Sequence, residues 1–320
     1  MTTVALTSRL PGRAEEILSE RFSVRIHSAD QLLTQEAVAD FIGAADGAVT
    51  LLANPITRRV FERCPSLRVV ANVAVGFDNI DISSADEYGV WITNTPDVLT
   101  EATADLAWAL ILSVTRRLRE TEDYLRSGRF QGWKLDLLLG MGIQDKTIGI
   151  VGYGRIGRAV ARRALASGMK VVYTDREPHH EPDPPAEFLD LENLLCTSQI
   201  VSLHVPLTQT TRHLMDQERL LRMPVGAVLI NTARGPLVDE EALVRVLEAG
   251  HLAGAGLDVY EHEPQVHPAL MHRNDVVLLP HVGSATVETR SAMAELAARN
   301  VVAVLEGEEP PTPVVRGQTR

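Results

Sequence analysis

Short runs of β-branched and aliphatic residues alternate with helical stretches along this chain, and they do so in two separate series. The first series is Val4–Thr7, Val24–His27, Gly47–Leu52, Leu67–Val73 and Val90–Thr93. The second is Thr147–Val151, Lys170–Thr174, Ile200–His204, Val228–Asn231, Ala255–Val259 and Val276–Leu279. Strands interleaved with helices predict parallel sheets, because a parallel neighbour is reached only by a long crossover. Two series predict two sheets. Between them Leu106, Leu110, Val114 and Leu118 recur at helical spacing in a stretch that opens at Thr100-Glu101 and runs to Arg126, with Gly128 as its stop. At about 1.5 Å per residue such a helix spans roughly 40 Å, which predicts a covering or subunit-joining element. A last helix, Ala285–Glu306, follows the second series, so the chain is expected to end by packing back onto the first domain. Glu177–Glu187 holds four prolines and is expected to be a solvated loop.

Composition narrows the class. A chain of 320 residues that is 45% hydrophobic and 23% charged has the make-up of a soluble globular protein and the length of two domains. Its 31 Lys+Arg against 42 Asp+Glu give a net charge of -11, and no basic cluster offers a footprint for nucleic acid or an anionic membrane. Cys64 and Cys196 are too few and too far apart for a disulfide framework or a thiolate metal site, and are read as free thiols of a reducing compartment. Met1–Ser8 has no basic region ahead of a long apolar run, and no 18 apolar residues follow one another. A cytoplasmic protein is expected.

The sharpest local signal is Gly152-Tyr153-Gly154-Arg155-Ile156-Gly157, entered from the strand at Thr147–Val151 and followed by the Ala/Arg-rich run Arg158–Ser167. In such a loop the first glycine allows a tight turn, the second lets the backbone approach a pyrophosphate, and the third lets the helix pack close to the sheet. The helix N-terminus then offers unpaired N–H groups to the phosphates. Asp175 stands 18 residues beyond Gly157, at the end of the next strand, where a carboxylate can hold the adenosine ribose. Glycine loops alone are common; here the strand before, the helix after and the acid at the right distance together point to a dinucleotide.

Three polar residues sit just past strands of the second series: Arg234, Glu263 and His281. Ligands of open α/β sheets lie beyond the carboxyl ends of the strands, so all three fall on the ligand side. A guanidinium grips a carboxylate bidentately, an imidazole exchanges a proton near neutral pH, and a carboxylate fixes its tautomer. Singly, each has a duller role as a solvated loop residue. His179, His180, His267 and His272 lie in polar loops and receive no role, and no paired ligands stand at metal spacing, so no metal is expected.

Taken in order, Val75-Gly76-Phe77-Asp78-Asn79-Ile80-Asp81, Thr93-Asn94-Thr95-Pro96, Leu99–Leu106, Asn231-Thr232-Ala233-Arg234-Gly235, Gly256–Val259 and Pro280–Thr286 resemble the D-2-hydroxyacid dehydrogenase family over nearly the whole chain. Within it the likeness is nearest to glyoxylate/hydroxypyruvate reductases. The resemblance implies an α/β protein of two Rossmann-like/flavodoxin-like domains: a substrate domain of residues 1–97 and 288–320, with an NAD(P)-binding domain, 98–287, inserted into it. It also implies a homodimer built around the helix that starts near Thr100, and reduction of a small 2-oxo acid to the 2-hydroxy acid.

Carried over position by position, the family assigns Arg234 to the substrate carboxylate and carbonyl, His281 to proton transfer, and Glu263 to pairing with that histidine. The Val75 and Gly76 amides would hold the other side of the carboxylate. Tyr153, Gly154, Arg155 and Ile156 would meet the pyrophosphate, and Thr103, His204, Val205, Pro206, Thr232, Ala233, Asp258 and Gly283 would line the cofactor path. Trp133 matches a tryptophan that reaches the neighbouring subunit's active site in such reductases; packing is its other reading. Two departures stand out: Leu135 where relatives carry proline, and a tail, Pro310-Pro311-Thr312-Pro313, without the usual asparagine. Asp175 favours NAD(H), while Arg176 beside it leaves room for NADP(H). A phosphoglycerate dehydrogenase is the nearest enzyme alternative, but Ala71–Ala74 offers no arginine for a substrate phosphate. Formate dehydrogenases carry glutamine where Glu263 stands. A dinucleotide-sensing corepressor or scaffold on the same fold is the alternative of another class.

Overall fold

The apolar runs form two separate sheets in the computed structural model, which describes residues 1–29 and 33–318. In chain order the strands are β1 (Thr3–Leu6), β2 (Ser23–Ile26), β3 (Gly47–Thr50), β4 (Val69–Asn72), β5 (Trp91–Thr93), β6 (Thr147–Val151), β7 (Lys170–Thr174), β8 (Glu187–Phe188), β9 (Ile200–Leu203), β10 (Ala227–Asn231), β11 (Leu252–Leu257), β12 (Val276–Leu278) and β13 (Pro313–Val315). The chain divides into two units, Met1–Leu99 with Ser284–Arg320, and Thr100–Gly283.

The first unit has the order β13-β5-β4-β3-β1-β2, parallel throughout except for the antiparallel pairing of β13 on β5. Every residue of β3 and β4 is buried, as central strands covered on both faces must be. Alternation along the strands sends Val4, Leu6, Val49, Val69 and Ala71 to one face, against Ala294, Ala297, Ala298, Val301 and Val304 of the helix Val287–Glu306. The opposite face packs Ala5, Ala48, Val70 and Ile92 against Val38, Ile42, Val60 and Phe61. The final helix therefore does return to the first sheet. Beyond it Thr312 stitches the tail down: its Oγ1 donates to the Asn94 carbonyl at 2.6 Å and accepts from Asn300 Nδ2 at 2.8 Å.

The second unit has the order β12-β11-β10-β9-β6-β7-β8, parallel throughout. The helices Thr100–Thr115 and Arg155–Ala166 cover one face with Ala104, Ala107, Leu110, Ile111, Ala159 and Val160. Three helices beginning at Leu191, Gln217 and Glu240 lie on the other. Asp190, Asp216 and Asp239 each cap their own helix by accepting an amide of its first turn, a contribution of about 1 kcal/mol apiece.

Two expectations need correction. The rod from Thr100 to Arg126 is two helices, Thr100–Thr115 and Leu118–Arg126, with Arg117 between them in the left-handed region at φ 54°. Gly140 packs against the break so closely that a Cβ there would lie 2.3 Å from the Thr115 carbonyl, and Met141 N donates to that carbonyl at 2.7 Å. Met141 N thus supplies a partner for a carbonyl at the helix end. Arg117 is fixed by Glu120 and the Leu139 carbonyl. The first segment, about 24 Å long, covers the second sheet. The Glu177–Glu187 stretch is also not solvated throughout: Pro184 is buried, its carbonyl accepts from Tyr153 Oη at 2.5 Å, and the chain leaves the loop through β8 on the sheet edge.

Candidate active site

Because the second sheet is parallel, the loops after β6, β7, β9, β10, β11 and β12 all emerge at one edge. That edge collects Gly152–Gly157, Asp175 with Arg176, His204–Pro206, Thr232–Gly235, Asp258–Glu263 and His281–Gly283. Gly152 turns at φ +96°, and a Cβ there would meet the His204 carbonyl at 2.8 Å; one at Gly157 would lie 2.1 Å from the Gly152 carbonyl oxygen. Side chains are sterically excluded from both places. The helix that follows starts at Gly154 with no side-chain cap, and the space where a Gly154 Cβ would stand is open. A helix N-terminus without a side-chain cap beside open space is what an anion needs. Tyr153 lies at the turn between β6 and this helix. Its ring is fully buried, stacked 4.2 Å from Tyr173, and its amide donates to Asp175 Oδ2 at 3.1 Å.

Asp175 is held from several sides. Oδ1 accepts from the Arg176 amide at 2.8 Å, and Oδ2 also meets His179 Nε2 at 3.2 Å. Burial pushes its carboxyl up, but the Arg176 amide, His179 and the Tyr153 amide outweigh it and leave the group below the usual aspartate value. Arg176 is exposed. His204 pairs with Ser202 Oγ at 2.8 Å, and burial lowers its imidazole to about 4, so it is neutral at neutral pH. Val205 and Pro206 follow it along the same edge, and Thr103 lies beside Gly283. Thr232 Oγ1 is buried with no hydrogen-bond partner among the described residues. An orphaned hydroxyl and an uncapped helix N-terminus at one sheet edge fit the nicotinamide dinucleotide expected there.

The three candidate chemical groups stand on neighbouring loops. Arg234 is half-buried; its carbonyl accepts from Asn231 Nδ2 at 2.8 Å, and Ala233 N donates to Asn231 Oδ1 at 3.0 Å. The next residue must be glycine, since a Cβ at Gly235 would lie 1.9 Å from the Tyr260 carbonyl. That close approach brings the Arg234 turn onto the loop carrying Glu263. Glu263 Oε2 lies 2.9 Å from His281 Nδ1, and Oε1 accepts from the Tyr260 amide at 3.0 Å. Burial raises the Glu263 carboxyl, yet His281, the Tyr260 amide and the nearby Arg234 charge together hold it below the ordinary glutamate range.

His281 adopts φ 55°, a conformation that costs a non-glycine residue about 1 kcal/mol or more. Asp258 enforces it. Its carbonyl accepts from the His281 amide at 2.9 Å, and its two carboxylate oxygens accept from Val282 and Gly283, each at 2.7 Å. Asp258 is 1% exposed, and its carboxylate holds the His281 turn. Burial raises its carboxyl above the usual value.

In the first unit, Asn94 Nδ2 donates to the Val75 carbonyl at 2.8 Å and Asn72 Nδ2 to the Gly76 carbonyl at 3.0 Å. The Val75 and Gly76 amides themselves have no partner among the described residues. Trp133 is 80% exposed, in a segment where Phe130, Leu135 and Leu139 are exposed as well. Sequence reasoning missed three supporting residues: Asn72, Asn94 and His179. Both asparagines fall inside or beside quoted motifs, and nothing but their position at strand ends marks them. His179 has no role on sequence grounds, and its place against Asp175 depends on a loop conformation that spacing does not reveal.

Residues 108–283 match the family model described as D-isomer specific 2-hydroxyacid dehydrogenase, NAD binding domain. A glyoxylate reductase of Thermococcus onnurineus is 47% identical over 98% of this chain and 96% of its own length. A solved protein of Thermus thermophilus superposes with a TM-score of 0.94 at 47% identity, covering 98% of this chain and 100% of that one. An NADPH-dependent glyoxylate/hydroxypyruvate reductase of Sinorhizobium meliloti, solved with NADP and malonate, gives a TM-score of 0.89 at 35% identity over 100% of this chain and 99% of its own.

Proposed function

The chain belongs to the D-isomer specific 2-hydroxyacid dehydrogenase family, and on that premise we propose that it reduces glyoxylate or hydroxypyruvate to the 2-hydroxy acid with NADH as the preferred cofactor. The observation that carries this reading is the His281 Nδ1–Glu263 Oε2 pair at 2.9 Å, with Arg234 on the neighbouring loop. A bound nicotinamide supplies the hydride for the carbonyl carbon. Arg234 binds the substrate carboxylate and stabilises negative charge on the carbonyl oxygen, and the Val75 and Gly76 amides are further donors to the carboxylate. Glu263 accepts from Nδ1, which turns Nε2 of protonated His281 to the carbonyl oxygen as proton donor. In the reverse direction neutral His281 takes that proton back.

Asp175 supports the NADH preference. A second negative charge, the 2′-phosphate of NADPH, placed about 4 Å away would be repelled by about 4 kcal/mol at an effective dielectric near 20, before screening. A quarter of that is already a several-fold preference. Exposed Arg176 supports a residual activity with NADPH, the cofactor named for the Sinorhizobium relative. A homodimer is supported by the exposed apolar side chains Leu118, Leu125, Phe130, Trp133, Leu135 and Leu139, which span the second helix and the segment after it. In that dimer Trp133 reaches the partner's site. No helix among the described residues is long and apolar enough to cross a membrane.

The test is direct: oxidation of NADH and of NADPH, followed by the loss of reduced-nicotinamide absorbance, with glyoxylate and with hydroxypyruvate. Turnover of at least one acid, faster with NADH, is expected. Cofactor binding without turnover of either acid would replace the enzyme by a dinucleotide sensor.

A further inference from the structure

His179 stands between two charges of opposite sign. Its Nε2 lies 3.2 Å from Asp175 Oδ2, and its Nδ1 lies 3.0 Å from Arg158 Nη2. Arginine has no lone pair to offer, so Nδ1 must be the acceptor and the ring proton must sit on Nε2, facing the carboxylate. The contacts therefore select one neutral tautomer. The ring is fixed in other ways as well: its edge meets Tyr153 at 5.8 Å and Tyr173 at 5.6 Å, and its own amide donates to Tyr173 Oη at 2.8 Å. Arg158 is tied down at its other nitrogen, with Nε donating to the Tyr153 carbonyl at 3.0 Å.

This arrangement has an electrostatic outcome. Asp175 receives hydrogen bonds from three neutral donors, the Tyr153 and Arg176 amides and the His179 ring, and keeps its negative charge. Arg158, one imidazole's width away, is kept off the carboxylate and is occupied by a ring nitrogen and a carbonyl. Were the ring absent, a guanidinium that makes charge-assisted bonds to phosphate would be released next to the strand end.

We propose that His179 is a positioning residue for cofactor choice: its imidazole bridges Asp175 and Arg158 and sequesters that guanidinium, so that the end of β7 rejects the 2′-phosphate of NADPH. The proposal rests on the reading of Asp175 as the acceptor for the adenosine ribose. It explains why a pocket bordered by Arg158 and Arg176 can still favour NADH.

Steady-state kinetics with NADH and NADPH, at saturating hydroxypyruvate, test it. His179→Leu keeps apolar packing on the tyrosines but removes both hydrogen bonds. The ratio of kcat/KM for NADPH over NADH should rise about tenfold, the low end of what one hydrogen bond between charged groups contributes. The change should fall on KM for NADPH and leave kcat within about twofold, since no reacting atom is touched. His179→Gln, whose amide can both donate to Asp175 and accept from Arg158, should stay within about threefold of the wild-type ratio. The double variant His179→Leu/Arg158→Ala should return to it, because the gain comes from the released guanidinium. His179→Ala carries the same expectation as the leucine variant and replaces it if that chain does not fold. An unchanged ratio in the leucine or alanine variant, or a raised ratio that survives loss of Arg158, overturns the proposal. Asp175→Ser separates the two levels. If it shifts the ratio and His179→Leu does not, only the role of His179 is lost; if neither does, the ribose reading of Asp175 has failed.

Discussion

In the first unit the Val75–Gly76 turn is held by uncharged side-chain amides, whereas in the second the loops bearing Glu263 and His281 are held by carboxylates. Asn72 is fully buried, bonding Gly76 and Asn79 through Nδ2 while its Oδ1 accepts from Thr50 Oγ1 at 3.3 Å. Such a network presents backbone donors at fixed positions and has no proton to lose between pH 4 and 10, roughly the range in which aspartate and lysine titrate. Asp258 and Glu263 do the corresponding work around His281 but carry charge, and with it the power to set a neighbour's protonation state. Presenting backbone donors at fixed positions calls for rigid neutral support. Moving a proton calls for ionisable support.

The largest effect expected of any change to this contrast is at the ionisable end. His281→Gln should lower kcat by about 10²- to 10⁴-fold, the usual contribution of a positioned general acid, with NADH affinity by fluorescence titration largely kept. A loss of less than about tenfold would move the proton donor elsewhere. A smaller effect is expected at the neutral end. Asn72→Leu should raise KM for the oxo acid about tenfold and lower stability by about 2 kcal/mol, from the unsatisfied groups left behind. Its pH profile should keep the wild-type shape, and a shifted limb would mean that the amide network is coupled to the titrating groups after all.

The smallest change in rate, but the sharpest test, is Glu263→Gln. Reduction needs protonated His281, and a carboxylate at 2.9 Å favours the protonated form. Removing that charge lets the proton leave at lower pH. The alkaline limb of the reduction profile should therefore move to lower pH, and activity in the reverse direction should begin at lower pH. An unmoved limb would take Glu263 out of the mechanism.

How far these features could be read in advance depended on whether a residue's role was local. The glycine loop, the strand ends at Arg234, Glu263 and His281, and every strand but β8 and β13 follow from runs that announce themselves. β8 has two residues and β13 begins in a proline-rich tail, so neither carries an alternating pattern. The break at Arg117 involves no glycine or proline of its own; it is imposed by Gly140 and Met141, more than twenty residues downstream. Tertiary contacts there override a sequence with good helix formers. His179 was unreadable for a related reason, because its partners Arg158 and Asp175 meet it only after the proline loop folds back over Tyr153 and Tyr173. The clamp that Asp258 puts on the His281 turn was not legible either, since a strand-end aspartate announces no partner and its two amide bonds form only once the β12 loop lies beside it.

The first unit is assembled from both ends of the polypeptide, and this orders events on the ribosome. β1 to β5 emerge before the second unit, but the alanine-lined helix Val287–Glu306 that covers one face of their sheet, and the strand β13 that closes its edge, are made only after it. About 180 residues, the whole of the second unit, are translated in between. At roughly 5–20 residues per second the interval is about 10–40 seconds. Throughout it Val4, Leu6, Val49, Val69 and Ala71 have no covering helix, and the β5 edge is unpaired. The second unit, contiguous in sequence, can fold during that wait, so the unit that is begun before it is completed after it.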